Sequence, residues 1–309
     1  MRITLVCIIF LVVGIFSSIF VYAEAQTPVK KDSVSMIFVG DIMLDRNVFN
    51  AVKRAGLNYE FPFLKIAPAL AQYDLRIANL EGPMTSTPFN MKRAEAMSFT
   101  FNPAFAPALV KYFDVVSLAN NHTYNFQEAG LASTKKFLDA AGVKYFGDPL
   151  NRVGLVSRII EKNGFKIAFV GYHAFAVPEK IALPIIERAI RDAHSKGGAD
   201  FVVVMPHWGV EYKPKPSAAQ IVAGHRFIDA GADVVIGGHP HVVETVERYK
   251  GHEIFYSLGN FIFDQYFSVE TMQGMMVALQ LTRSSDGKID SEFKTINFKI
   301  NKDSQPFVP

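Results

Sequence analysis

Five short apolar segments of this chain each run into a polar or ionisable side chain, and this pattern constrains the fold more than any other feature. Segments with helical periodicity separate them, so strands alternate with helices along the chain. Such alternation predicts a sheet whose faces are covered by helices. The predicted strands are Met36–Gly40, Leu75–Asn79, Asp114–Ala119, Phe201–Met205 and Asp233–Gly237.

Hairpin signals in the second half modify this prediction. Asn163-Gly164 lies between two strand-like segments, and both residues accept the positive φ of a tight turn. Lys250-Gly251 and Asp286-Gly287 separate two further pairs of strand-like segments. The antiparallel content favours a mixed α/β sandwich of two sheets with outer helices over a doubly wound parallel sheet. The predicted helices are Asn47–Ala55, Pro103–Tyr112, Gln127–Ala141, Leu183–Ser195 and Ala218–Ala230.

The first residues predict where the protein works. After Met1-Arg2, residues 3–22 form an almost unbroken apolar run, and small-x-small patterns end at Ala23 and Ala25. We therefore expect residues 1–23 to be a secretory signal peptide or, because the run is long enough to span a bilayer, an N-terminal membrane anchor. Both alternatives predict an extracytoplasmic protein: secreted, periplasmic or anchored. Residues 24–34 are then a linker, and residues 35–309 one domain.

Composition excludes several functional classes. A formal net charge of +3 gives no basic surface, so we predict no nucleic-acid partner. The single cysteine, Cys7, excludes an intramolecular disulfide framework and a cysteine-rich zinc module. It lies within the apolar N-terminal run, so the predicted domain contains no thiol, which suits a location outside the cytoplasm.

The polar residues at the strand ends form a chemically coherent set. The carboxyl ends of parallel strands line the ligand crevice of an α/β sheet, so these side chains are expected to converge. Carboxylates, amides and imidazoles together suit a borderline divalent cation such as Zn²⁺, Mn²⁺ or Fe. The donors suffice for one or two ions, and two ions bridged by a carboxylate can activate water and hold a phosphoryl group. The set comprises Asp41, Glu81, Asn120, Asn121, His122, His207, His239 and His241.

Each of these residues also has a purely structural explanation. Asp41 could cap the following helix, Glu81-Gly82 could form a surface turn, and a lone histidine is usually structural. The pair His239-Pro240-His241 is the exception, because Pro240 restricts His239 to an extended conformation that can present one imidazole to each of two ions. The coincidence of five strand ends favours a site over five unrelated caps and turns. His173 also ends a strand and is ranked below His122.

The motifs resemble the poly-γ-glutamate capsule biosynthesis (CapA) family, which is similar to the calcineurin-like metallophosphoesterases. The matching segments occur in family order and cover roughly residues 35–267. The resemblance implies a four-layer α/β/β/α sandwich of the metallo-dependent phosphatase type. The segments are Val39–Leu44, Ala78–Gly82, Ser117–Thr123, Pro206–Tyr212, Gly237–His241 and Tyr256–Phe261.

The resemblance also implies residue roles. Its ligand set is Asp41, Glu81 (in the place of the bridging aspartate), Asn121, His207, His239 and His241. His122 corresponds to the histidine that protonates the leaving group, a role that suits an imidazole of near-neutral pKa. We predict substrate contacts from Arg46, Asn120, Trp208 and Asn260.

Two departures from the family pattern bear on the site. The first phosphoesterase motif is Asp-x-His, whereas Asp41-Ile42-Met43 has no histidine, so one ion lacks a ligand. Asn125 and Gln127 stand where the family usually has an aspartate and a glycine.

Three functions are compatible with these sequence features. The first is a metal-dependent hydrolase acting on a phosphoester or amide-type bond outside the cytoplasm. The second is a non-catalytic envelope component that binds or exports an anionic polymer, poly-γ-glutamate by family resemblance, within a membrane synthetase or export complex. In the third, the polar strand ends are only caps and turns, and alanine substitutions at His207, His239 and His241 leave the metal content unchanged.

Overall fold

The computed structural model describes residues 32–86 and 98–309. The predicted signal or anchor, residues 1–23, and residues 24–31 of the predicted linker lie outside the described residues. Strand β1 begins at Ser33, so residues 33 and 34 belong to the first sheet. Within the described ranges, no helix is both long and apolar enough to cross a membrane.

The first sheet is built around β1, which pairs in parallel with β2 and antiparallel with β12. Its strand order is β14-β13-β12-β1-β2-β3-β4, and β11 adds a short parallel pairing to the end of β1. The strands are β1 (Ser33–Ile42), β2 (Leu75–Leu80), β3 (Val115–Ser117), β4 (Lys144–Phe146), β11 (Asn260–Ile262), β12 (Gln273–Arg283), β13 (Ile289–Ile300) and β14 (Pro306–Phe307).

The second sheet has the order β5-β6-β7-β8-β10-β9. Its central strands pair in parallel. At each edge the outermost strand pairs antiparallel with its neighbour as a hairpin, β5 with β6 and β9 with β10. The turns of these hairpins have positive φ at Asn163, Gly164, Lys250 and Gly251, as their sequences predict. The strands are β5 (Ser157–Lys162), β6 (Phe165–His173), β7 (Phe201–His207), β8 (Val234–Ile236), β9 (Val246–Tyr249) and β10 (His252–Phe255).

Helices cover the outer face of each sheet. The α-helices are α1 (Arg46–Arg54), α2 (Ala67–Leu70), α3 (Ala106–Tyr112), α4 (Gln127–Ala141), α5 (Glu179–Ser195) and α6 (Ala218–Asp229), with single 3-10 turns at Phe61–Phe63, Pro103–Phe105 and Glu270–Met272. Two details differ from the prediction. Helix α5 begins four residues before Leu183 and accommodates Pro184, and Pro103–Phe105 forms a 3-10 turn ahead of α3.

Alternating side chains of the strands divide the interior into three apolar layers. Ile37 and Val39 of β1 pack under the helices of the first sheet. Met36 and Phe38, which point the opposite way, pack with Phe169 and other residues of the second sheet. A third layer joins the second sheet to α5 and α6. The structure is thus a four-layer α/β/β/α sandwich, which confirms the predicted fold class.

Candidate metal centre

The carboxyl ends of β1, β2 and β3 in the first sheet face those of β7 and β8 in the second. Within the second sheet, a backbone bridge joins His207 to Gly238. Within the first sheet, the Glu81 N–H donates to the Ile42 carbonyl at 2.9 Å. Gly238 allows the sheets to approach at this point, since a Cβ there would lie 2.7 Å from Asp41 Oδ1. The two sheets therefore bring the predicted ligands into one cluster.

Glu81 lies at the middle of this cluster. It is fully buried, and neither carboxylate oxygen has a hydrogen-bond partner among the described residues. Its Oε1 lies 3.8 Å from Nε2 of His122, 3.8 Å from Nε2 of His207 and 3.9 Å from Nε2 of His241. Burial and the nearby carboxylates of Asp41 and Glu211 raise its pKa well above the usual range.

Asp41 is the penultimate residue of β1 and is also fully buried. Its Oδ1 accepts a hydrogen bond from Asn79 Nδ2 at 2.8 Å, and its Oδ2 accepts one from the His239 backbone N–H at 3.1 Å. Burial raises its pKa to about 6 despite these two bonds. Asp45, not Asp41, caps helix α1, so the capping explanation for Asp41 is wrong.

Three buried histidines complete the core of the cluster. His207 Nε2 lies 3.2 Å from His239 Nδ1 and 2.9 Å from Asn121 Oδ1. Burial lowers the pKa of His239 to about 4 and that of His241 to about 3, and it holds the His207 pKa well below its usual range. These imidazoles are therefore neutral near pH 7, which is the form that binds a metal ion.

His122 lies at the edge of the cluster. Its ring stacks on Phe99 with 4.0 Å between centroids, and its Nδ1 lies 3.2 Å from Asn125 Oδ1. The same oxygen accepts a hydrogen bond from the Phe99 backbone N–H. The Nδ1 contact and the stacking fix the ring with Nε2 toward Glu81, as a proton donor at this site requires.

The four predicted substrate contacts have different environments. Arg46 forms an ion pair with Asp264 and lies over the rings of Phe99 and Phe263, beside the cluster. Its guanidinium also opposes the rise in the Glu81 pKa. Of the four residues, Arg46 is thus placed where a cation can act on a bound anion.

The other three residues are buried and make hydrogen-bond contacts with other parts of the protein. Asn120 is fully buried, and its amide donates to Asn79 Oδ1 and to the Leu80 carbonyl. Trp208 is buried in the outer apolar layer, where its indole N–H donates to the Tyr256 carbonyl. Asn260 is buried, and its Oδ1 lies 3.0 Å from His241 Nδ1. Asn260 therefore orients a predicted ligand rather than a substrate.

Sequence reasoning missed Asn79 and Glu211. Asn79 Nδ2 lies within hydrogen-bond distance of both Asp41 and His207, so it links the two sheets. A polar residue directly between the apolar Ala78 and Leu80, near the end of β2, was the available signal for it. Glu211 lies four residues after His207 on a loop, and spacing alone could not bring its carboxylate to His239 and His241. His173, ranked low, lies with its ring 6.2 Å from that of His207.

The donors at this edge fit a divalent cation. Three carboxylates and three imidazoles form two groups, and within each group the ligand atoms lie within 4.8 Å of one another. The groups are Asp41, Glu81 and His207, and Glu211, His239 and His241. A buried carboxylate without a hydrogen bond and neutral imidazoles around it are the chemistry that a cation satisfies. With its four layers, the molecule has a metallophosphatase-like α/β/β/α fold.

The chain belongs to the bacterial capsule synthesis protein family PGA_cap, whose family model matches residues 35–265. It is 34% identical over 262 residues to the capsule biosynthesis protein CapA of Bacillus anthracis, covering 78% of this chain and 63% of that protein. It is 32% identical over 294 residues to the PGA biosynthesis protein CapA of Bacillus subtilis, covering 86% and 74% respectively.

Solved structures with similar folds are more distant. A hypothetical protein of Thermus thermophilus is 18% identical, with a TM-score of 0.49 over 84% of this chain and 99% of that one. A phosphatase of Mycoplasma pneumoniae is 16% identical, with a TM-score of 0.49 over 86% and 94%.

Proposed function

We propose that this protein acts outside the cytoplasm in poly-γ-glutamate capsule biosynthesis or export, and that it carries a metal-dependent hydrolase site of the phosphoesterase type. The capsule role is supported by the family membership and by the similarity to the CapA proteins of capsule and PGA biosynthesis. The observation that supports the site is Glu81, a buried carboxylate without a hydrogen-bond partner in the described chain, approached by three imidazole nitrogens at 3.8–3.9 Å.

The ligands of this site come from both sheets. Asp41 and Glu81 from the first sheet, with Asn121, would hold the cation together with His207, His239 and His241 from the second. A divalent cation held by these residues, Mn²⁺, Fe or Zn²⁺ by the donor set, would activate water and neutralise charge on a phosphoryl oxygen. Asn260 and Asn79 hold His241 and His207 in place through hydrogen-bond contacts at their Nδ1 atoms.

Proton transfer to the leaving group is assigned to His122. Its Nδ1 faces an amide oxygen of Asn125 that also accepts the Phe99 N–H, so Nδ1 carries a hydrogen. A second proton on Nε2 gives the imidazolium form, and this proton faces the cluster. Arg46 lies beside the same space and would bind an anionic group of the substrate, a phosphoester or an acidic polymer.

Elemental analysis of the purified protein tests the site. We expect Mn, Fe or Zn in the wild type, and loss of that metal without loss of fold by circular dichroism in the double variant Asp41→Ala/His241→Ala. The same preparations are then assayed against phosphomonoesters and phosphodiesters. A wild-type protein that contains none of these metals and is activated by none of them would contradict the proposal.

Complementation separates the catalytic role from a non-catalytic one. The wild type, Asp41→Ala/His241→Ala and His122→Ala are expressed in a capsule-forming strain that lacks its own family member. The hydrolase proposal expects both variants to fail although the wild type restores capsule. If the metal-free variant restores the capsule fully, the result would instead support a non-catalytic binding or export role within a membrane complex.

A further inference from the structure

In the Asp-x-His motif of the phosphoesterases the histidine is a second metal ligand, and this chain has no histidine at that position. Met43 occupies the place of the histidine of Asp-x-His, is fully buried in the apolar layer outside the first sheet, and accepts a hydrogen bond at Sδ from the Asp45 N–H. Its side chain therefore offers no donor to the cluster at Glu81. Any second ion needs its further donor from elsewhere in the chain.

Glu211 is brought to the opposite side of the same cluster. Its carboxylate and ligand nitrogens of His239 and His241 all lie within 4.8 Å of one another. His241 Nε2 is at the same time 3.9 Å from Glu81 Oε1, so the group around Glu211 adjoins the group around Glu81. Two adjoining groups of donors thus share this edge, one around the buried Glu81 and one around the more exposed Glu211.

The loop that carries Glu211 is built to hold this position. Gly209 has φ +92, and a Cβ there would lie 2.6 Å from Gln220 Nε2, so the chain turns sharply after β7. Tyr212 has φ +61, and its N–H donates to the Pro240 carbonyl at 2.8 Å. This bond ties the residue after Glu211 to the residue between His239 and His241.

A second connection links this loop to His241 through side chains. Gln265 Nε2 donates to the Tyr212 hydroxyl at 3.0 Å, and Gln265 Oε1 accepts from Asn260 Nδ2 at 3.0 Å. Asn260 Oδ1 in turn lies 3.0 Å from His241 Nδ1. The Glu211 loop and the His241 ring are therefore positioned by one network, as expected for two ligands of the same ion.

We propose that Glu211 is a metal ligand that, with His239 and His241, completes a second ion position beside the one at Asp41, Glu81 and His207. A carboxylate from the loop after β7 thereby takes over the coordination that Met43 cannot provide. This inference rests on the proposed metal-dependent function, because it assigns the second ion of the same centre.

Metal stoichiometry of the full chain tests this assignment without an activity assay. The protein is stripped with chelator and titrated with Mn²⁺ by calorimetry, and the bound ion is counted by elemental analysis. We expect two ions per chain in the wild type and in Glu292→Gln, a control that removes an exposed carboxylate from β13. We expect Glu211→Gln to bind one ion with unchanged affinity, with the second weakened at least about tenfold.

Electron paramagnetic resonance of the Mn²⁺-loaded proteins gives an independent readout. The wild type should show the exchange-coupled signal of a manganese pair, and Glu211→Gln the six-line signal of an isolated ion. Two tightly bound ions and a coupled signal in Glu211→Gln would overturn the assignment. A wild type that binds one ion, lost in Glu81→Gln but unaffected by Glu211→Gln, would refute it while leaving the proposed function standing. A wild type that binds no ion would refute both.

Discussion

Replacing Glu81 by glutamine separates the cost of its buried charge from its role as a ligand. The substitution keeps the shape of the side chain but removes a carboxylate that is fully buried and has no hydrogen-bond partner in the described residues. An ionised carboxylate in such a place costs several kcal/mol. The metal-free variant should therefore be at least as stable as the metal-free wild type at pH 8.

The effect of metal on the same pair of proteins runs in the opposite direction. At a cation concentration of about 1,000 times Kd, binding to the folded state stabilises the wild type by about 4 kcal/mol. For a domain of this size each kcal/mol raises Tm by about 2–4 °C, so Mn²⁺ should raise the wild-type Tm by roughly 8–16 °C. Without the central carboxylate, we expect the Glu81→Gln variant to shift by less than about 2 °C.

Thermal unfolding followed by fluorescence, with chelator and then with excess Mn²⁺, measures both effects. Glu292→Gln serves as the control, since its carboxylate is exposed and far from the strand ends. It should behave as the wild type in both conditions. If Mn²⁺ raises the Tm of Glu81→Gln as much as that of the wild type, Glu81 is not the central ligand and the reasoning fails.

Three further results are expected. Because protons compete with the cation for Asp41, whose pKa burial raises to about 6, Mn²⁺ affinity measured by calorimetry should rise from pH 5 to pH 8. Gly40→Ala places a Cβ 1.9 Å from the Gly259 carbonyl oxygen, so chemical denaturation should show a loss of about 3 kcal/mol or more. Glu244, buried beside Gln220, has its pKa raised from 4.5 to about 7, so this carboxyl lowers stability as pH rises through that window. Glu244→Gln should therefore gain about 1–3 kcal/mol over the wild type at pH 8 and none at pH 4.5, measured by urea unfolding at both values.

The fold was predictable because its signals are local. The apolar strands and the Asn163-Gly164 and Lys250-Gly251 turns each depend on a few neighbouring residues, and the structure has them where the pattern predicts. Helix α5 begins at Glu179, four residues before the predicted start at Leu183. Pro184 lies inside this helix and has no N–H, so one intrahelical hydrogen bond is missing there, and the turn that precedes the proline has no clear signal in the local sequence.

The site was predictable only in part, because a side chain's role depends on its partners in space. The strand-end rule found Asp41, Glu81 and His207, since a strand end fixes where a residue lies. It could not distinguish a residue that faces the cleft from one that holds another residue. Asn260 and Trp208 thus counted as substrate contacts, although their hydrogen bonds go to His241 and Tyr256. The rule cannot find loop residues such as Glu211, because they do not lie at the end of a strand.

The placement of the donors makes the centre a link between the two sheets. In the first sheet, Asp41 lies near the end of β1 and Glu81 follows β2, whereas in the second sheet His207 ends β7 and the His239–His241 segment follows β8. Elsewhere the sheets are joined by an apolar layer, and at this edge the described contacts are polar and leave Glu81 unsatisfied. A cation bound here would satisfy that carboxylate and fasten one sheet to the other. Ion binding and sheet packing would therefore be coupled, and through this coupling the unfolding temperature would report on occupancy of the proposed centre.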